Sequence, residues 1–105
     1  MADQNVGIAY FTNPAMENEP FGKEVDGIMT SVARQTPVRK VNTEVEVTIV
    51  EEMKPQQVPS IIFTDSSGKL EHLRIEGAKL QGITVAKVME TVNAIIKYNS
   101  TTPNG

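Results

Sequence analysis

Residues 58 to 77 restrict the fold more tightly than any other stretch of the chain. Ile61-Ile62-Phe63 is apolar on both faces, Asp65-Ser66-Ser67-Gly68 is a turn sequence, and Lys69 to Glu76 supplies a return strand. Together they specify a β-hairpin. Leu70 and Leu73 are three residues apart, while Leu73 and Ile75 are two apart. Strict alternation cannot set all three on one face, which predicts a β-bulge at Glu71 or His72. Gly77 closes the strand.

Upstream, Val6 to Phe11 (VGIAYF) reads as a short strand buried on both faces. Thr12 to Pro20 holds an Asn-Pro pair and a second proline, and reads as a loop. Phe21, Val25, Ile28, Met29 and Val32 then recur at helical spacing. This predicts a helix from Pro20 to about Gln35, closed by Pro37. Glu44 to Val50 (EVEVTIV) alternates, with Val45, Val47 and Ile49 on one side and Glu44, Glu46 and Thr48 on the other. That pattern predicts a half-buried strand, with the acidic run kept on the surface of an exposed edge. The polar connector from Glu51 to Gln57 leaves no room for a full helix. At the C-terminal side, Val85, Val88, Met89, Val92, Ile95 and Ile96 trace one stripe of a helix over about Ile83 to Tyr98.

The expected architecture is a single α/β domain over residues 6–98, βαβ followed by ββα. It has a mixed four-stranded sheet with helices mainly on one face. A length of 105 residues suits one core. Residues 1–5 are expected to be flexible and 99–105 a disordered tail. With no helix before Pro59, the opposite sheet face is expected to be bare, and such a face invites a partner or a second copy of the chain.

Three segments resemble the thioredoxin and glutaredoxin superfamily. Val58-Pro59-Ser60 ahead of Ile61-Ile62-Phe63 looks like its cis-proline strand, and Phe63 to Gly77 looks like the hairpin that follows. Tyr10-Phe11-Thr12-Asn13-Pro14 is similar to the end of its central strand. The resemblance implies a Cys-x-x-Cys pair near Ala15-Met16-Glu17-Asn18, where a helix N-terminus favours a thiolate. The chain has no cysteine. Alanine is no nucleophile, asparagine resolves no mixed disulfide, and Glu17 adds charge of the wrong sign. Thiol–disulfide exchange by this chain is therefore excluded.

Other chemistries find little purchase. Thirteen acidic residues against ten basic ones give a net charge of −3, unlike a general nucleic-acid binder. The small basic group of Arg34, Arg39 and Lys40 reads as a solvated loop. His72 is the only histidine and has no second ligand of suitable spacing, so no metal site is expected. A serine triad of His72 with Ser60, Ser66 or Ser67 and Asp65 lacks the sharp strand-to-helix turn that presents such a serine. The resemblance also raises a glutathione-activating hydroxyl at Tyr10 or Thr12, but the helical second domain of those transferases has no counterpart here. No signal-like or membrane-length apolar stretch occurs, and a cytoplasmic protein is expected.

What remains is a redox-inactive binding module without a cofactor and without an enzymatic role. By resemblance, the residue before the proline offers its backbone to an extended peptide. The expected contact residues are Asn13, Pro14, Ala15 and Met16, with Val58, Pro59, Gly77 and Ala78. Met16 is an adaptable contact within a polar loop. The partner is a protein or the chain itself; the alternative role is a self-associating assembly protein that uses the bare sheet face.

Overall fold

A computed structural model describes residues 6–101. The elements are β1 (Val6–Thr12), α1 (Pro14–Glu17), α2 (Pro20–Ala33), β2 (Arg39–Asn42), α3 (Val47–Met53), β3 (Ser60–Asp65), β4 (Glu71–Glu76), a 3-10 turn (Gly77–Leu80) and α4 (Val85–Thr101). The sheet has four strands in the order β2-β1-β3-β4. β1 and β2 are parallel, with Phe11 opposite Val41, whereas β3 runs antiparallel to both β1 and β4.

Alternation along β1 divides the core in two. Ile8 and Tyr10 point to the side where α2 and α4 lie, joined by Ile61 and Phe63 from β3. Val25, Met29 and Val32 of α2 and Val88 and Val92 of α4 complete that cluster. Ala9 and Phe11 point the other way, with Val41 and Ile62.

The hairpin follows the sequence pattern, with its irregularity at His72. Phe63 sits opposite Leu73 and Thr64 opposite Glu71, so His72 is the extra residue. The bulge does not gather the three apolar residues, however. Leu70 lies outside the strand and is 58% exposed, and Leu73 is 44% exposed.

Three expectations need correction. First, Glu44 to Val50 is not a strand: β2 is Arg39–Asn42, and residues 47–53 are helical. Val45 is 71% exposed and Val47 52%, so the alternation carries no buried face. Ile49, Val50 and Met53 lie one and four residues along, on one side of a helical turn. Second, the sheet face expected to be bare carries that helix. Ile49, Val50, Met53 and Val58 pack over Ala9, Phe11, Val41 and Ile62. Ala9 and Ile62 are buried, which removes the premise of self-association through this face. Third, the backbone of residues 99–101 continues α4. Residues 1–5 and 102–105, expected to be flexible, lie outside the described residues.

The Thr12 to Pro20 loop also holds a short helix. Asn13 caps α1, its Oδ1 accepting from the Met16 N–H at 2.8 Å, with Pro14 in the first turn. Gly22 of α2 abuts this segment so closely that an added Cβ would lie 1.8 Å from the Met16 carbonyl oxygen.

Candidate functional site

The register of the sheet brings the expected contact segments to one end. Phe11 near the end of β1 is opposite Ser60 at the start of β3, and Ser60 is opposite Glu76 at the end of β4. The Gly77 N–H donates to the Pro59 carbonyl at 2.9 Å, which joins Val58-Pro59 directly to Gly77-Ala78. Asn13, Pro14, Ala15 and Met16 follow β1 at the same end. Pro14, Ala15 and Ala78 are exposed, Asn13, Met16 and Val58 are half-buried, and Pro59 and Gly77 are buried.

The Val58–Pro59 peptide bond is cis. Among the described residues, neither the N–H nor the C=O of Val58 makes a hydrogen bond within the chain. A main-chain group left unpaired at the margin of a sheet is a ready contact for an extended chain.

Sequence reasoning missed the residues that frame this peptide group. Gln57 lays its side chain over Gly77, where an added Cβ would meet Gln57 Oε1 at 1.6 Å. Gly77 has φ +58°, and it is this left-handed backbone that calls for glycine, since the exposed Gln57 side chain could swing away from a Cβ. Gln57 is exposed, and its carboxamide makes no hydrogen bond among the described residues. Beneath it, Glu76 Oε2 accepts from the Gln56 N–H at 2.7 Å, Ser60 Oγ at 3.2 Å and Arg74 Nη1 at 3.4 Å. Arg74 and Glu76 are two apart on a strand and so share a face, a signal present in the sequence. Their partners in the connector before Pro59 left none.

A second polar group fastens the other side of the site. Lys40 Nζ on β2 is 2.6 Å from Glu17 Oε2 of α1 and 2.9 Å from Asp26 Oδ1 of α2. Tyr10 Oη donates to Asp26 Oδ1 at 3.3 Å. The two carboxylates, Glu17 foremost, hold the Lys40 ammonium well above the usual lysine value. Glu17, which would oppose a thiolate, thus serves as an anchor for the loop.

The electrostatics run against hydroxyl catalysis at Tyr10. Its ring is buried and its phenol is pushed up to about 12, first by burial and then by the Asp26 carboxylate. An activating site needs the opposite shift. Among the described residues no group of three His, Cys, Asp or Glu side chains is placed to hold a metal ion, and no helix is long and apolar enough to cross a membrane.

No protein-family model and no curated protein matches the sequence. Solved structures do match in shape. Thioredoxin 1 from Thermosipho africanus has a TM-score of 0.67 at 14% identity, covering 90% of this chain and 99% of that one. Thioredoxin-2 of the malaria parasite gives 0.68 at 12%, over 86% and 82%. The germline-specific thioredoxin Deadhead of Drosophila melanogaster gives 0.65 at 17%, over 88% and 82%. The chain has the thioredoxin-like fold. It carries that fold with no cysteine anywhere in its sequence.

Proposed function

We propose that this protein is a redox-inactive thioredoxin-like binding module that takes an extended protein segment against Val58. The observation that carries this reading is the unpartnered peptide group of Val58, flanked by Pro59 and by Gly77-Ala78 in a chain that has no sulfur chemistry to perform there. An extended partner gains main-chain hydrogen bonds at such a group, and the half-buried Met16 gives an adaptable apolar contact nearby. The half-buried Asn13 and the exposed Pro14, Ala15 and Ala78 form the rest of the surface.

A library of extended peptides titrated into the isotope-labelled chain tests the reading. Shifts of the Val58, Gly77 and Ala78 amides, lost on replacing Met16 or Pro14 at an unchanged melting temperature, support it. Peptides that bind while leaving those amides unmoved, or a loss of stability that accounts for the lost binding, count against it. In the same preparation, insulin reduction should run no faster than with dithiothreitol alone.

A further inference from the structure

Residues 54–59 join α3 to β3 without regular structure, and a segment of that kind is costly to hold in one conformation. This one is laced to the end of β4. Arg74 donates to the carbonyls of Met53 and Lys54. Glu76 accepts from the Gln56 N–H, and the Gly77 N–H donates to the Pro59 carbonyl. Between those two holds lie Gln57 and Val58, whose main chain makes no hydrogen bond among the described residues.

Glu76 fastens both flanks of that pair. Its side chain is only 15% exposed, and a carboxylate so far out of water must be met by donors. One oxygen, Oε2, takes three of them. The Gln56 N–H reaches it at 2.7 Å from one flank and the hydroxyl of the buried Ser60 at 3.2 Å from the other. Arg74 Nη1, which also serves Lys54, is 3.4 Å away. Gln56 is exposed, so no packing substitutes for its bond to Glu76. The Val58 side chain packs against the second core cluster, which sets its depth. The direction in which its peptide group faces is set by the residues on either side, and hence by Glu76.

We infer that Glu76 is the positioning residue of the Val58 site: its carboxylate holds residues 56 and 60 so that the peptide group between them is ordered before a guest arrives. The inference rests on the reading of that group as the contact for an extended segment, and it adds how the chain keeps the contact ready. A contact ordered in advance leaves a guest less to immobilise. Freeing the backbone of one residue is worth roughly tenfold in affinity.

The full isotope-labelled chain is compared with Glu76→Ala, Glu76→Gln and Glu71→Gln, first without any peptide. In the parent, the Gln56 amide should exchange about tenfold or more slowly than an unprotected amide, and the Gln57 and Val58 amides should show heteronuclear NOEs close to those of β3. Glu76→Ala should lose that protection and lower both NOEs. Glu76→Gln keeps an acceptor oxygen and should recover part of the loss. Glu71→Gln removes the other carboxylate on Arg74 and should leave residues 56–58 as in the parent. The library peptide with the largest Val58 shift should then bind Glu76→Ala about tenfold more weakly. Rapid exchange of Gln56 in the parent overturns the inference. So does a Glu76→Ala variant in which Gln57 and Val58 stay as ordered, or in which peptide affinity is unchanged, and so does an equal loss of order in Glu71→Gln. Order lost in Glu76→Ala, with no peptide that moves Val58 in the parent, upholds the positioning and removes the binding reading instead. Exchange in the unaltered chain decides the matter even if Glu76→Ala folds poorly.

Discussion

Arg74 of β4 donates from Nη2 to the carbonyl oxygen of Met53, 2.8 Å away, at the last residue of α3. Nη1 reaches the next carbonyl, of Lys54, at 3.0 Å, while Nε and Nη2 grip Glu71 at 2.7 and 2.5 Å. One guanidinium thus satisfies two of the carbonyls that a helix C-terminus leaves open, and it does so from the far edge of the sheet.

Arg74→Ala should therefore loosen α3 and cost about 1–3 kcal/mol of stability, as loss of charge-assisted hydrogen bonds does. Arg74→Lys should recover less than half of this, because an ammonium is a point charge and cannot span both carbonyls and Glu71. Urea denaturation gives the energies. Hydrogen exchange gives the location, with faster exchange expected at the α3 amides and the rest of the sheet unchanged.

Two glycines of α2 should respond with opposite signs. Gly22→Ala forces a methyl group into the Met16 carbonyl and should destabilise by about 1–3 kcal/mol. Gly27 has nothing within 4 Å of an added Cβ, so Gly27→Ala should stabilise by about 0.5–1 kcal/mol through helix propensity alone. Thermal melts of the two variants against the parent read the signs directly.

Alkali should weaken the fold through Tyr10. Its phenol is raised from 10.0 to about 12, so the folded chain holds the proton more tightly than the unfolded one does. That contribution is whole below pH 10 and is lost as the pH rises through the folded value, amounting to about 3 kcal/mol at most across the window. Tyr10→Phe removes the titrating group, and its stability should fall less steeply over the same range. Parallel slopes for the two proteins would show that Tyr10 does not carry the effect.

Gln57→Ala should leave stability within about 0.5 kcal/mol of the parent, as expected of an exposed side chain without partners. It should nevertheless change the affinity of any extended peptide that shifts the Val58 amide, because the carboxamide lies over Gly77 beside that peptide group. Unaltered peptide affinity would place Gln57 outside the contact surface.

The parts of the fold that were legible in the sequence are those fixed by nearby residues. The β3–β4 hairpin, the strand before Asn13 and the two long helices each carry their own turn signal or apolar period. The stretch from Arg39 to Met53 misled because its pattern is not local in origin. β2 is four residues long and only Val41 of them is buried, too little for a periodicity. Val45 and Val47 alternate with acids yet face water. α3 is seven residues long, marginal by propensity, and its end is held by Arg74 twenty-one positions away. Asn13-Pro14 misled differently: the pair reads as a turn, and equally as a cap followed by a first helical residue. Of the candidate site, the backbone segments were readable because they follow from strand ends. Gln57, Glu76 and Lys40 were not, since their roles come from what the tertiary structure sets beside them.

The Lys40 clamp has a consequence for how such a surface works. A disulfide centre alternates between two covalent states, and its loop must accommodate both. Here α1 is tied to the rim strand β2 through Glu17, and α2 through Asp26. Under the proposed binding role, a loop tied down in this way would give up less disorder to a guest, which favours steady capture over turnover.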